Sequence, residues 1–190
     1  MIINEIDLKG TEYRISKKFN RKIFSFSELL NDMANNEYSK LENYYKDKFE
    51  FIKFKDEEVL VENDKKDEFI VFGRNNNGFF AINKNKEIWL IPFYISDIKE
   101  PIFINSSLHQ FRCCYCLLLS ILFFFLGKNV DEKECATIAQ KFKRDILEID
   151  IHSINSLFYK NYIFSIRNAE LPIHFTPIDY VNNGRHVISE

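Results

Sequence analysis

The sequence predicts an α+β fold, an antiparallel sheet built as a strand meander with helices packed on one side. Three observations carry that expectation. Short β-prone runs come first and capped amphipathic segments come after, an order that separates α+β folds from alternating α/β ones. The stretches between the β-prone runs are too short to hold crossover helices, so neighbouring strands are expected to run antiparallel. Hydrophobic residues make up 46% of the 190, with 20 Phe among them, enough to fill the core of a single domain.

Residues 1–48 are mixed and polar, and are read as an N-terminal helical part. A candidate helix opens near Ser27, where Leu29, Leu30 and Met33 give partial helical periodicity. The sheet is expected over 49–104, in the runs Phe49–Phe54, Val59–Val61, Phe69–Phe72, Phe79–Ile82, Ile88–Ile91 and Ile102–Ile104. Gly73 to Gly78 and Asn83 to Lys86 supply the turns, because Gly and Asn tolerate positive φ.

Helices follow over 105–170. Ser107 with Gln110 three residues on forms a capping box, and Gly127 is a stop signal. Between them Leu108, Phe111, Tyr115, Leu118, Leu122 and Phe125 repeat at three and four residues. Asp131 and Glu134 cap a second helix whose buried stripe runs through Cys135, Ile138, Phe142, Ile146 and Ile149. A third is expected from Ser153 to Asn168, before Pro172, with 171–190 as a tail. No internal repeat or linker interrupts this single domain.

The balance of 26 Lys and Arg against 28 Asp and Glu, a formal charge of −2, excludes a strongly basic nucleic-acid binder. Lys17 to Lys22 mixes basic and aromatic residues as single-strand binders do, but six residues in a nearly neutral chain are too few. Glu5 and Asp7 interrupt the opening residues, so no secretory signal is expected. Cys113, Cys114 and Cys116 crowd one helix in a geometry unsuited to disulfides, which predicts a reducing cytoplasm. The apolar stretch Cys113 to Leu126 is shorter than the roughly 18–20 residues that span a bilayer, so it is read as a core helix and no membrane partner is expected. No nucleotide-binding fingerprint is present, and no cofactor is expected.

One segment is biased in charge. Asp56, Glu57, Glu58, Glu62 and Asp64 surround two strand runs and could steer a basic partner; solvated loops and protection of a sheet edge explain the same residues. His109 and Cys113 sit four apart on one helical face, the spacing of a nucleophile and its base. Adding Cys116 and Cys135 makes a zinc set, although without the paired Cys-x-x-Cys units of common zinc sites. A small cysteine/histidine enzyme or zinc protein is therefore one alternative, and a general interaction scaffold another. Buried cysteines on an apolar helix are more often inert, and Trp89, beside Phe79, Phe80 and Phe93, is more often core than recognition surface.

Phe72-Gly73, Gly78 to Ile82, Ile88-Trp89-Leu90 and above all Phe103-Ile104-Asn105-Ser106-Ser107-Leu108-His109-Gln110-Phe111 resemble the SUKH superfamily of immunity proteins, most closely its fourth family. Asp150 and Phe158 are similar to positions in that family's C-terminal helix. The match covers about residues 69–126; the Cys-Cys-Tyr-Cys cluster and Phe123 to Phe125 depart from the pattern. The resemblance implies a non-catalytic cytoplasmic protein that binds a cognate toxin domain of a bacterial polymorphic or contact-dependent toxin system. It leaves the contact surface and oligomeric state open, and a nuclease is the toxin that an acidic segment would suit.

Overall fold

The computed structural model describes residues 8, 11–19, 58–75, 77–93, 100–125 and 130–170. Six strands form one sheet in chain order: β1 (Arg14–Phe19), β2 (Glu58–Glu62), β3 (Glu68–Asn75), β4 (Gly78–Asn83), β5 (Ile88–Pro92) and β6 (Ile102–Asn105). Every neighbouring pair is antiparallel, and from β2 to β6 this is the meander that the short connections require. Three helices follow, α1 (Leu108–Phe125), α2 (Glu132–Ile149) and α3 (Leu157–Arg167), giving the expected α+β arrangement.

Two hairpins share one turn chemistry. Asn63 and Asn83 each accept the backbone N–H four residues on through Oδ1, at 2.9 Å from Asp67 and 3.0 Å from Glu87. In each turn a backbone bond of 3.0 Å also closes back onto the Asn carbonyl, from Lys66 and Lys86. Those two lysines take positive φ, 62° and 66°. Asx side chains compete well for local backbone donors, which is why Asn starts both turns.

The N-terminal part departs from expectation. Arg14–Phe19 is a strand, not a helix. Arg14 to Lys18 are all exposed on the outermost described strand, so β1 lacks the apolar period that identifies strands in sequence; its register comes from pairing with β2. The third helix also starts later than expected, at Leu157, after a short 3₁₀ turn at Ser153–Asn155. The candidate helix at Ser27, the run Phe49–Phe54, the stop at Gly127 and the tail 171–190 lie outside the described residues.

Both sheet faces carry buried apolar clusters. On one, Phe72, Phe80, Ile88, Leu90, Ile102 and Ile104 pack against Phe111, Leu118 and Leu122 of α1, Phe142 and Ile146 of α2, and Phe158 and Ile166 of α3. A bulge between Val71 and Gly73 sets Phe72 beside Phe80, their rings stacked at 6.3 Å, and Phe80 also meets Phe111, Tyr115 and Phe158. The other face gathers Val59, Val61, Phe69, Val71, Phe79, Ala81 and Ile91, with Tyr13 beside them. Apolar burial on both faces explains why β3 to β5 read as apolar runs rather than as strict alternation. Among the described residues no helix is long and apolar enough to cross a membrane.

The backbone geometry gives two opposed stability predictions. A Cβ on Gly78 would stand 2.1 Å from the Ile91 carbonyl oxygen across β4 and β5, so Gly78→Ala must push two paired strands apart. It should lower stability by about 1–3 kcal/mol. Lys86→Gly relieves a left-handed residue and should raise stability by about 0.5–1 kcal/mol. Urea denaturation of the two variants beside wild type checks both, and a midpoint for Gly78→Ala equal to wild type would contradict the steric reading.

Candidate functional site

The run Asn105-Ser106-Ser107-Leu108 is the junction between β6 and α1. Ser107 Oγ accepts the Gln110 N–H at 3.2 Å, the first half of the expected capping box. The Gln110 side chain turns elsewhere: its Oε1 accepts from Ser107 Oγ at 2.8 Å and its amide donates to the Ile149 carbonyl at 3.1 Å, tying the start of α1 to the end of α2.

The centre of the junction is Asp150, the C-cap of α2 and 2% exposed. Its Oδ2 accepts from Ser106 N at 2.7 Å, Asn105 Nδ2 at 3.2 Å and Ser153 Oγ at 2.6 Å. Its Oδ1 accepts from Ser106 Oγ at 2.9 Å and His152 N at 3.2 Å. Asn105, fully buried, extends the network: Nδ2 donates to Ser153 Oγ at 2.8 Å, and Oδ1 accepts from the Tyr159 hydroxyl at 2.7 Å. Ser156 Oγ bonds the Phe103 carbonyl, pinning the start of α3 to β6. Four elements therefore meet on one carboxylate and one amide.

The electrostatics follow. A carboxylate at a helix C-terminus opposes the helix dipole by about 0.3–1 kcal/mol, whereas each hydrogen bond to a charged group contributes about 1.5–3 kcal/mol. The hydrogen bonds dominate. Burial pushes the Asp150 carboxyl up, but the bonds from Ser153, Ser106 and Asn105 outweigh it and hold the group below its ordinary range. Asp150 also brings negative charge to the N-terminal side of α1, whose own first turn has no acidic residue. Burial pushes the Cys114 thiol up to about 12 and raises the Tyr159 phenol well above its ordinary value. The carboxylate's oxygens are committed to donors of its own chain, and the thiol and phenol keep their protons. The cluster is built as a clamp, with neither a free base nor a nucleophile in it.

The acidic candidates are divided. Glu62 and Asp64 converge on Arg14, at 3.0 and 3.2 Å, with Asp64 almost fully solvated. Glu58 opens β2, while Asp56 and Glu57 lie outside the described residues. A cation thus stands among the acids, on a strand that the sequence did not reveal.

The cysteine and histidine candidates do not form one centre. His109 and Cys113 lie on the outer side of α1, with Nε2 and Sγ 3.8 Å apart. Cys114 faces the junction, Cys116 is half-buried, and Cys135 is buried on α2 with Sγ 3.9 Å from the Val130 carbonyl. All four are free thiols. Among the described residues no group of three or more His, Cys, Asp or Glu could hold a metal ion, so the four-donor zinc set is not assembled. His152 is exposed at the cap of the 3₁₀ turn, and His174 and His186 lie outside the described residues. Trp89 is half-buried and packs against the second apolar cluster, edge-on to Phe103 at 5.4 Å and to Phe69 at 6.3 Å.

Ser153 and Tyr159 are the members of the junction that sequence reasoning missed. An Asp followed three residues later by Ser, just ahead of the next helix, was the local sign available for the first of them. A second surface feature is a groove of about 250 Å³ between α1 and α2, lined by Leu117, Ile121, Phe124, Ile138 and Phe142, with the Lys141–Asp145 ion pair at its edge.

Compared with models of known protein families, with curated proteins and with solved structures, the chain matches none.

The clamp predicts a pH dependence. The folded pKa of Asp150 lies below its unfolded value, so its contribution is complete above about pH 4 and is lost as the pH falls through the folded value. Asp150→Ala leaves several buried donors without an acceptor and should cost roughly 3 kcal/mol at neutral pH. The gap between wild type and variant should narrow in acid. Denaturant titrations at pH 7 and pH 3 measure it, and an equal gap at both would show that Asp150 is not the titrating group.

Proposed function

We propose that the chain is an immunity protein of the SUKH type, a non-catalytic partner that binds a cognate toxin domain and neutralises it by covering it. One observation supports the reading above the rest. The residues on which the resemblance rests, separated by some 45 positions, are interdependent parts of one structure: Asn105 and Ser106 bond Asp150, and Phe111 and Phe158 both pack on Phe80. A signature whose members hold one another in place is what a family pattern without catalytic residues should look like, and this one is spent on joining sheet to helices. The chemistry of the cluster agrees, since its ionisable groups are locked in protonation states that serve hydrogen bonding.

The direction of charge steering depends on Arg14. With Glu62 and Asp64 paired to it, the acidic edge is partly compensated, and such exposed pairs are screened by salt. Neutralising the arginine would leave both acids free to act at long range on a basic toxin domain.

A tagged copy isolated from the cells that make it should carry one partner at 1:1 stoichiometry, the C-terminal domain of a large exported modular protein. Co-expression should restore the growth of cells making that domain; a domain whose toxicity and binding are indifferent to excess chain would overturn the reading. Against a basic toxin domain, Arg14→Ala should speed association at low salt, and reversing Asp56, Glu57 and Glu58 should slow it, with little change in stability. Stopped-flow association rates over a salt series decide this, and rates equal to wild type at low salt would remove the steering.

A further inference from the structure

His109 and Cys113 are on successive turns of α1, the i and i+4 positions whose side chains meet on a helix surface. Nε2 and Sγ are 3.8 Å apart. Tetrahedral zinc, with Zn–S about 2.3 Å and Zn–N about 2.0–2.1 Å, holds a sulfur and a nitrogen roughly 3.6 Å from each other. The helix therefore presents the two donors within a few tenths of an ångström of the spacing at which both can bind one ion. His109 is exposed and Cys113 half-buried, so an ion can reach them from solvent.

The other thiols do not compete for that position. Cys114 is buried, with its proton held by burial and its sulfur within reach of the Asn105 amide, and Cys135 is buried on a different helix. No third His, Cys, Asp or Glu among the described residues joins the pair, which leaves two of four tetrahedral positions open.

We infer that His109 and Cys113 form a two-donor chelate for a borderline divalent cation, zinc above all, on the outer side of α1. This is independent of the toxin-binding reading and differs from a structural zinc centre, because only two protein donors are brought together among the described residues. Binding deprotonates the thiol and requires the neutral imidazole, so it strengthens as pH rises and releases protons. The open positions accept water or a donor from a second molecule.

Cobalt(II) reports on this directly. Added to the reduced full chain, it should give a sulfur-to-cobalt charge-transfer band that zinc abolishes by displacement. The band should be lost in Cys113→Ser, weakened in His109→Ala and kept in Cys116→Ser. Excess zinc should raise the Tm of wild type and leave that of Cys113→Ser unchanged, as expected when an ion binds only the folded state. His109 is exposed and Cys113 and Cys116 are half-buried, and Cys→Ser changes only one atom, so the metal-free variants should melt close to wild type. A band that survives in Cys113→Ser, a band that needs Cys116 instead, or no band at all in wild type would each overturn the assignment.

Discussion

A carboxylate removed from water at the end of a helix is the constraint on which the rest of this structure depends. Leaving Asp150 buried without partners would cost several kcal/mol, so the fold has to bring donors to it. It does so from four directions: the β6–α1 turn through Asn105 and Ser106, the 3₁₀ turn through Ser153, its own following backbone through His152, and α3 indirectly through Tyr159 on Asn105. Apolar contacts are tolerant of small rotations. These bonds are not, and they fix the angle at which α2 and α3 leave the sheet.

The sheet is the other half of the frame. Its pairings are all between chain neighbours; from β2 onward each closes over a short connection, and the two Asn-started hairpins set register at their turns. Phe80 links the two halves, meeting rings from β3, α1 and α3. A mobile centre is not what this arrangement provides.

Charge and chemistry sit on that surface in small groups. Arg14 stands between two acids on the outermost described strand, the His109 and Cys113 pair lies outside α1, and the apolar groove lies between α1 and α2. The clamp itself is turned inward.

Local pattern was enough to place β2 to β6, because strands with mostly buried residues write apolar runs and Asn-rich turns punctuate them. It was enough for α2 as well, where Asp131 caps through the Glu134 N–H as its spacing implied. The same local information identified Asn105-Ser106-Ser107 as a helix entrance. It could not show β1, where Arg14 to Lys18 are exposed and the partner strand is about forty residues away, nor that Arg14 would sit on Glu62 and Asp64. Nor could it decide which cysteines face inward, since four positions on one helix cover its whole circumference. The convergence of Asn105, Asp150, Ser153 and Tyr159 belonged to tertiary structure alone: hydrogen bonds between residues about fifty apart leave no period in a sequence, only polar residues whose burial is settled when sheet and helices close on one another.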